Sequence, residues 1–464
     1  MNFRSLKKTI VNISFFFLLL GAAVSLHAQN PVIQTSYTAD PAPMIYNGTV
    51  YLYTSHDEDT TVRNFFTMND WRCYSSNDMV NWTDHGAVLS YQTFSWARGD
   101  AWAGQCVYRN GKFYFYLPVN QKNGGNAIGV AVSDSPTGPF KDALGKPLLV
   151  GYGYIDPTVF IDNDGQAYLY WGNPNLWHVK LNVDMISYDP KMGIVKEDLN
   201  DKNFGYREKK INNRTADYEE GPWLFKRKSK YYMLYPAGGV PEHLAYSTSD
   251  SPLGPWVYRD TIMHVIKNAG AFTNHPGYIE FKGQPYLFYH NAALPGGTGF
   301  KRSVCIEPFQ FNADGSIPLI KPTKAGVIKS AMPLNPYKKV EAETIAWSEG
   351  LKTAQNPEAG VYVTKINNRD YIKVRDVDFG KGASAFEARV ASASNGGKIE
   401  IHIDALTGPK IGTLKVEPTG GDTDWKVQTC KVTGVKGLHD LYFVFEGSNG
   451  DLFNFDWWKF NAKR

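Results

Sequence analysis

A short pattern recurs five times between residues 40 and 289: an apolar run, a turn, and a second run rich in tyrosine and phenylalanine. The five copies read DPAPMIYNGTVYLY from Asp40, WAGQCVYRNGKFYFY from Trp102, DPTVFIDNDGQAYLY from Asp156, EGPWLFKRKSKYYML from Glu220 and HPGYIEFKGQPYLFY from His275. Several turns are Asn-Gly or Asp-Gly, which favour tight β-hairpins. The copies begin about 55 to 65 residues apart, a spacing typical of the four-stranded blades of a β-propeller. The pattern therefore predicts a five-bladed β-propeller.

Three of the five copies begin with an acidic residue. Equivalent positions of successive blades converge near the axis of a propeller, so we expect Asp40, Asp156 and Glu220 to lie close together. Hydrolysis of a glycosidic bond requires one protonated carboxyl group, and one ionised carboxylate that activates water or attacks. Crowding of acids in a partly dry pocket raises the pKa of at least one of them and so keeps its proton in place. The acids at the blade starts therefore predict a glycosidase site.

The three acids are expected to have different roles. Glu220 has the longer side chain and is predicted to be the general acid, with Asp40 as the base and Asp156 orienting Glu220 and shifting its pKa. Glu219 is a rival for Glu220, but the Gly-Pro that follows Glu220 parallels the two Asp-Pro pairs. The alternative is that each acid only caps a turn or pairs with an arginine. Three acids at matching positions, with no matching Lys or Arg, favour a site.

Three further residues are candidates for contacts with a substrate or a metal ion. Trp102 begins the second copy and predicts a platform for a sugar ring, the alternative being a tryptophan of the core. Arg302 is predicted either to clamp sugar hydroxyls or to neutralise the acids. His275 begins the fifth copy and is predicted to contact a metal ion or water, unless it only forms structural hydrogen bonds.

The blade pattern ends near residue 320. Residues 321–336 contain prolines and lysines and predict a linker. Residues 337–464 include runs such as KIEIHID and LYFVFEG, in which apolar and polar residues alternate, and predict a β-sandwich. The chain is therefore predicted to be all-β, with a propeller over residues 29–320 followed by the sandwich.

The N-terminus predicts an exported protein. Arg4, Lys7 and Lys8 precede the apolar run IVNISFFFLLLGAAVSL, a combination typical of a secretory signal peptide, here over residues 1–28 with cleavage near Ala28. We therefore expect a secreted or periplasmic protein without a membrane span after cleavage. Loss of these three basic residues takes the formal charge from +4 to +1. A near-neutral chain does not suit nucleic acid, whereas an aromatic content of 14% suits sugar binding.

The blade starts also resemble a known family. The Asp-Pro of the first copy, IDPTVF of the third and EGP of the fourth together resemble glycoside hydrolase family 43, over about residues 30 to 320. The resemblance implies an inverting enzyme with Asp40 as general base, Asp156 as pKa modulator and Glu220 as general acid. In this family a His at the position of His275 often sits near a central metal ion, commonly calcium, held largely through water. An Arg like Arg302 often reaches the substrate.

The C-terminal region resembles a family 6 carbohydrate-binding module, through VEAE near its start and NFDWWKF near its end. The resemblance implies a jelly-roll sandwich with a structural calcium ion near Glu341, Glu343 and Asp456, hard oxygen ligands of the kind that calcium takes. No organic cofactor is expected. Trp425 matches the stacking tryptophan of the module's usual sugar cleft. The second aromatic of that cleft is absent, because residues 364–366 read TKI, so the domain is expected to serve mainly as a structural partner.

Two stretches narrow the predicted substrate. FTMNDWRCYSSNDMVNWTDHG and SVCIEPFQFNADGSI are similar to the branch of arabinoxylan arabinofuranohydrolases, which remove L-arabinofuranose side chains from xylan. We therefore predict an α-L-arabinofuranosidase that acts on arabinoxylan of the plant cell wall. A β-D-xylosidase or an endo-arabinanase would use the same three acids, and both stay open. A propeller that binds glycans without cutting them is a further alternative, although a pure binder has no reason to assemble three acids.

Overall fold

The computed structural model describes residues 29–208, 214–267 and 270–463. Within these ranges the chain is almost entirely β-structure, with a 3-10 helix at Tyr91–Thr93 and an α-helix at Asp201–Phe204. No helix in these ranges is long and apolar enough to cross a membrane. The predicted signal peptide, residues 1–28, lies outside the described residues.

Five antiparallel sheets follow one another between residues 37 and 308 and form the five blades. Blade I consists of Tyr37–Tyr46, Thr49–Asp57, Asp70–Ser76 and Trp82–Ser90; blade II of Gln105–Arg109, Lys112–Gln121 and Asn126–Ser133, with the short strands Ala97–Gly99, Lys141–Asp142 and Leu149–Val150; blade III of Thr158–Ile161, Ala167–Trp171, Trp177–Leu181 and Val195–Lys196; blade IV of Trp223–Arg227, Lys230–Ala237, His243–Ser249 and Val257–Met263; and blade V of Gly277–Phe281, Gln284–Asn291 and Ser303–Pro308. Each of the five sequence copies supplies one hairpin of a blade.

The turns within the copies account for these hairpins. In blade I, Asn47 and Gly48 join the first two strands, with φ of 48° and 77°. A two-residue turn of the primed type needs positive φ at both positions, and Asn-Gly adopts it most easily. Its twist matches that of the strands it joins, so the local sequence fixes the pairing of Tyr46 with Thr49 and of the residues that follow.

The five blades are arranged radially. Their first strands contact one another in cyclic order: Tyr37–Tyr46 contacts Gln105–Arg109, which contacts Thr158–Ile161, then Trp223–Arg227, then Gly277–Phe281, and this last strand contacts Tyr37–Tyr46 again. The first strand of each blade is therefore the innermost. Together with the sandwich described below, this arrangement confirms the predicted fold class, a five-bladed propeller followed by a sandwich.

Aromatic side chains fill the space between neighbouring blades. The rings of Tyr53 in blade I and Phe115 in blade II lie 5.2 Å apart, and those of Phe225 in blade IV and Tyr278 in blade V stack at 3.8 Å. Such ring pairs bury large apolar areas and add a directional attraction. This packing accounts for part of the high aromatic content. From the sequence alone, the same content also suited sugar binding.

The last blade is joined to the beginning of the chain. The N–H of Val32 donates to the carbonyl of Val304 at 2.9 Å, and the N–H of Thr38 donates to the carbonyl of Arg302 at 3.0 Å. The side-chain oxygen of Asn30 accepts from the N–H of Ile306 at 2.9 Å. The segment before blade I therefore lies along the third strand of blade V, which holds the two ends of the ring together.

Two further sheets form the C-terminal sandwich. One sheet consists of Val340–Glu341, Lys352–Asn356, Gly360–Thr364, Asn454–Ala462, Ala383–Ala391 and Lys426–Lys431, and the other of Trp347–Glu349, Tyr371–Asp378, Leu438–Glu446, Gly397–Ile403 and Lys410–Val416. Between them lies an apolar core that includes Val374, Phe386, Ile401, Phe443 and Trp458, all fully buried. The period-two alternation of these strands sends every second side chain into this core.

The sandwich region and the propeller share a sheet. The strand Thr344–Ile345 pairs antiparallel with the outer strand of blade I, opposite Trp82 and Thr83. The carboxylate of Asp84 also accepts a hydrogen bond from the hydroxyl of Thr353 at 2.7 Å. The domain boundaries drawn from the sequence stay predictions, but residues 344–345, inside the predicted sandwich, form a fifth strand of blade I.

Candidate active site

A cavity of about 380 Å³ lies where the blades meet, and all five residues that begin the sequence copies line it. These residues are Asp40, Trp102, Asp156, Glu220 and His275. Four of them lie just before the first strand of their blade, whereas Asp40 lies inside its first strand, at a β-bulge between Ala39 and Ala42. The cavity also contains Arg302, so six of the predicted site residues come together.

The two Asp-Pro pairs share an unusual backbone. Asp40 has a φ of 52° and Asp156 a φ of 57°, both in the left-handed region. Aspartate is one of the few side chains that tolerate this conformation. The same turn of the backbone at equivalent positions of two blades places both carboxyl groups in the one cavity.

Asp40 is held as a carboxylate. Its Oδ1 accepts from Nη1 of Arg302 at 3.0 Å, and its Oδ2 accepts from the hydroxyl of Ser55 at 2.8 Å. Burial alone would raise the pKa of Asp40, but the charge of Arg302 and the contributions of His275, His290 and Ser55 outweigh it and lower the pKa below its ordinary value of 3.8. Asp40 is therefore ionised at neutral pH and able to accept a proton from water.

His290 supports Asp40 without forming an ion pair with it. Its Nδ1 lies 3.6 Å from Oδ1 of Asp40, but the same nitrogen accepts from the backbone N–H of Asp40 at 3.2 Å and so carries no proton. Its Nε2 donates to the carbonyl of Thr273 at 3.0 Å. Burial, together with the charge of Arg302, lowers the pKa of His290 to about 3. The ring is therefore neutral at pH 7 and fixes the backbone at Asp40.

Glu220 is held as a protonated acid. Its Oε2 accepts from the side-chain amide of Asn173 at 2.5 Å. Burial raises the pKa of Glu220 to about 7, the charges of Glu219 and Asp40 add to this rise, and the bond from Asn173 opposes it. A carboxyl group with this pKa is protonated in a substantial fraction of molecules near pH 7, as a general acid must be.

Asp156 lies beside Glu220. Its Oδ2 accepts from the N–H of Gly221 at 3.2 Å. Burial, followed by the charges of Glu220 and Asp40, raises the pKa of Asp156 well above its ordinary value. Gly221 has a φ of 53°, and a Cβ atom there would lie 2.9 Å from Nδ1 of His275, so only glycine allows this approach. The two carboxyl groups are buried in one cavity, and the charge that Glu220 carries when ionised makes ionisation of Asp156 less favourable.

The neighbouring acid Glu219 is already engaged. Its two carboxylate oxygens form ion pairs with Arg207 and Arg214, and Arg207 is buried. Both carboxylate oxygens of Glu219 are therefore occupied by guanidinium groups. Between the two adjacent glutamates, the geometry therefore favours Glu220 as the proton donor.

Arg302 is a partner of the acids. Its Nε and Nη2 donate to the two oxygens of Asp57 at 2.9 and 3.0 Å, and its Nη1 donates to Asp40. Its guanidinium also lies 4.7 Å from the centroid of the Phe66 ring. These contacts agree with the sequence interpretation in which Arg302 neutralises acids. Direct contact of Arg302 with a sugar stays a prediction, although the residue does line the cavity.

Trp102 and His275 complete the ring of blade starts. Trp102 is half-buried, and its carbonyl accepts from the indole N–H of Trp71 at 2.6 Å, which fixes its backbone. Burial lowers the pKa of His275, so its ring is neutral and free to ligate a metal ion or bind water. Their roles as a sugar platform and as the neighbour of a channel ion stay predictions.

Several residues of the site were missed by the sequence interpretation. Asp57, Asn173 and His290 lie at or just after the end of the second strand of their hairpins. Antiparallel pairing places the end of a second strand beside the start of the first, so these positions meet the same cavity edge. Polar residues that end the aromatic runs, as in YLYTSHD and YLYWGN, were therefore a usable signal.

Glu242 was also missed. It lies between the second and third strands of blade IV, it lines the cavity, and only 4% of its surface is exposed. The loop AGGVPEH that carries it lies outside the five repeated segments, so repeat comparison could not find it.

Trp425 lies in the sandwich, apart from the cavity. The ring of Tyr362 lies 5.2 Å away at an angle of 70°, and the guanidinium of Arg389 lies 5.3 Å from its centroid. Residues 364–366 offer no aromatic, as the sequence indicates, but Tyr362 two residues earlier supports Trp425 edge-on. A role of Trp425 in sugar binding stays a prediction.

The three acids predicted to bind calcium lie near one another in the sandwich. Oε2 of Glu343 and Oδ1 of Asp456 are buried oxygens without a hydrogen-bond partner among the described residues. Burial, followed by the charges of Glu341, Asp84 and Asp456, raises the pKa of Glu343 well above its ordinary value. The half-buried Glu341 pairs with Lys339 at 3.0 Å, and the other oxygen of Asp456 accepts from Arg389 at 2.7 Å. Two orphaned carboxylate oxygens fit a hard cation such as calcium.

Known proteins resemble this chain over nearly its whole length. The model of the family "Glycosyl hydrolases family 43" matches residues 28–317, and that of "Carbohydrate binding module (family 6)" matches residues 341–462. The chain is 36% identical to the arabinoxylan arabinofuranohydrolase of Bacillus subtilis (strain 168), in an alignment that covers 94% of this chain and 92% of the relative. It is 34% identical to the arabinoxylan arabinofuranohydrolase of Paenibacillus polymyxa, with 93% and 74% covered.

A solved structure shows the same architecture. The crystal structure of a glycoside hydrolase family 43 arabinoxylan arabinofuranohydrolase from Bacillus subtilis, in complex with cellotetraose, matches with a TM-score of 0.80 at 35% identity. The match covers 94% of this chain and 98% of that one. The relative therefore has both the propeller and the sandwich in one arrangement.

Proposed function

Because this chain belongs to glycosyl hydrolase family 43, we propose that it removes α-L-arabinofuranosyl side chains from arabinoxylan by inverting hydrolysis. The observation that carries the proposal is the opposite protonation of two acids in one cavity. Asp40 is ionised beside Arg302, and Glu220 has a pKa of about 7. One acid and one base are what a single-displacement hydrolysis needs.

In the proposed reaction, Asp40 takes a proton from a water molecule as its oxygen attacks the anomeric carbon of the sugar. Glu220 at the same time gives its proton to the oxygen of the departing xylan chain. Asp156 lies next to Glu220, and its proposed role is to orient Glu220 and to modulate its pKa. This geometry requires about 6.5–9.5 Å between the two carboxyl groups, which leaves room for the water.

The preference for arabinose rests on the two arabinoxylan arabinofuranohydrolases described above. The test is to incubate the protein with arabinoxylan, nitrophenyl α-L-arabinofuranoside and nitrophenyl β-D-xyloside, and to identify the sugars that appear. Release of arabinose from the polymer is expected. Release of xylose alone would make the enzyme a β-D-xylosidase, short arabino-oligosaccharides from arabinan would make it an endo-arabinanase, and binding without release would leave a glycan-binding propeller.

We also propose that calcium stabilises the sandwich through Glu341, Glu343 and Asp456, and that a second ion lies near His275. The orphaned oxygens of Glu343 and Asp456 support the first site. Binding at about a hundredfold excess over Kd adds about 2.7 kcal/mol to the stability of the folded state. Chelation with EDTA should therefore lower the Tm of the sandwich by about 10 °C. The variant Glu343→Gln should lose most of this calcium dependence, and an equal Tm with and without EDTA would contradict the proposal.

Export is part of the same proposal, because a polymer of the plant cell wall has to be met outside the cytoplasm. The basic and apolar residues before Ala28 support a secreted or periplasmic location. N-terminal sequencing of the protein recovered from culture medium or periplasm should begin near Gln29. Recovery of the protein with Met1 still attached would count against export by a cleaved signal peptide.

A further inference from the structure

Glu242 is a buried carboxyl group in the active-site cavity that the proposed hydrolysis does not use. Its backbone N–H donates to the carbonyl of Phe272 at 3.0 Å, and its Oε2 accepts from the N–H of Asn274 at 2.7 Å. Phe272 also lines the cavity, and Asn274 precedes the blade-start residue His275. Glu242 is thus fixed between the loop of blade IV and the segment that leads into blade V.

Glu242 differs from two other acids of the site, Asp40 and Glu219, in having no basic partner among the described residues. Asp40 pairs with Arg302, and Glu219 pairs with Arg207 and Arg214. Within residues 29–208, 214–267 and 270–463, the carboxyl group of Glu242 forms no ion pair. A buried carboxylate without a counter-ion is costly, so this group takes a proton. Burial, followed by the charges of Glu220, Glu219 and Asp156, raises its pKa in agreement with that.

A protonated carboxyl group has one O–H to donate and an acceptor oxygen. Oε2 of Glu242 accepts from Asn274, whereas Oε1 makes no hydrogen bond with any described residue. The residue lines a cavity whose expected occupant is a pentose, a ring with a hydroxyl group on nearly every carbon. A donor placed in such a cavity is unpaired until a sugar hydroxyl meets it.

We propose that Glu242 is a sugar-binding residue of this pocket, which donates a hydrogen bond from its free carboxyl oxygen to one hydroxyl of the bound pentose. This inference rests on the proposed function, because it takes the cavity to be the site of the sugar that is released. A pocket built to hydrogen-bond a substrate hydroxyl rejects sugars that lack it, since its own polar group is then left buried and unpaired. Glu242 therefore contributes to the choice of pentose.

The test compares Glu242→Ala and Glu242→Gln on nitrophenyl α-L-arabinofuranoside and on analogues that each lack one hydroxyl, at C2, C3 or C5. The alanine variant should lose about 10- to 100-fold in kcat/KM on the full sugar, because a buried hydrogen bond is lost. The glutamine variant keeps a hydrogen-bond donor and an acceptor, so its kcat/KM should be only about threefold lower than that of the wild type. The ratio of wild type to Glu242→Ala should drop to about one on a single analogue and stay high on the others.

A matched control is Glu307→Gln in blade V. Glu307 is also 4% exposed, but it bonds to Thr323 and Asn30 and does not line the cavity, so kcat/KM should not change. If Glu242→Ala does not fold, as judged by thermal melting, Glu242→Leu keeps the volume and replaces it in the same comparison.

Three results would overturn the inference. An equal loss on all analogues would mean that Glu242 only positions the loop, and an unchanged kcat/KM in Glu242→Ala would mean that it does not touch the sugar. The third result would show that Glu242 binds a cation instead. In that case kcat/KM of Glu242→Gln is as low as that of Glu242→Ala, and EDTA lowers kcat/KM of the wild type to the same value. Failure of the proposed function can be told apart from failure of this inference. If the wild type cleaves only the xyloside, the same comparison is made with xylosides that lack the C2, C3 or C4 hydroxyl.

Discussion

Replacing Glu220 by Gln is expected to reduce arabinose release from arabinoxylan by about 10²–10⁴-fold, the range that general acid catalysis contributes. The amide cannot donate a proton to the departing xylose oxygen, which is a poor leaving group without one. Nitrophenolate leaves without protonation, so the same variant should lose much less on nitrophenyl arabinofuranoside. The measurement is kcat/KM on the two substrates, with binding of the polymer followed separately.

The pH profile gives the control for Glu220. Since burial raises the pKa of Glu220 to about 7 and the acid must be protonated to act, wild-type activity on the polymer should fall as the pH rises through about 7. This fall should be absent from the residual activity of Glu220→Gln. Equal losses on both substrates, or an unchanged alkaline limb, would contradict the assignment of Glu220 as the acid.

Replacing Asp40 by Asn is expected to reduce hydrolysis of the polymer and of the nitrophenyl glycoside alike, again by about 10²–10⁴-fold. The amide cannot accept a proton from the attacking water, and a good leaving group does not remove that requirement. Equal loss on the two substrates distinguishes the base from the acid. In the wild type, activity should persist to low pH, because Arg302 holds the pKa of Asp40 below its ordinary value of 3.8. The base is lost only as the pH falls through this lowered pKa.

The Asp40 variant needs a stability control, because the substitution leaves Arg302 with one carboxylate partner instead of two. Thermal melting of Asp40→Asn shows whether a loss of activity reflects the fold. Asp57 still accepts from two nitrogens of Arg302 in this variant, so the folded state should persist. A folded Asp40→Asn protein that still turns over the nitrophenyl glycoside at the wild-type rate would rule out Asp40 as the base.

The blades and the three acids could be predicted because the same local rule repeats five times. Asn-Gly and related turns set most of the hairpins, and the residue at the start of each copy then faces the axis. Asp40, Asp156 and Glu220 stand at such positions, and a repeated position is visible in a sequence even when its residue type changes. For the same reason, the sequence favoured Glu220 over Glu219 before the arginines that hold Glu219 were known.

Other parts of the site depend on contacts that no repeat encodes. Asn173 reaches Glu220 across 47 residues of chain, and Arg302 meets Asp57 across 245 residues. Glu242 stands in the loop between the second and third strands of blade IV, outside the repeated segments. The pKa shifts of these groups follow from burial and from neighbours in space, so the direction of each shift could not be predicted from the order of the residues. The strand Thr344–Ile345 could not be recognised in the sequence, because two residues are too few to show the alternation of apolar and polar residues that marks a strand.

The two-residue strand also limits how freely the two domains could be separated. Thr344–Ile345 covers the outer edge of blade I, where Trp82–Ser90 would otherwise present free backbone groups to other chains. A different carbohydrate-binding module could not simply be exchanged for this one by recombination, because it would also have to bring a segment that fits this edge in register. In this protein the propeller and the sandwich therefore share one sheet, although each has a core of its own.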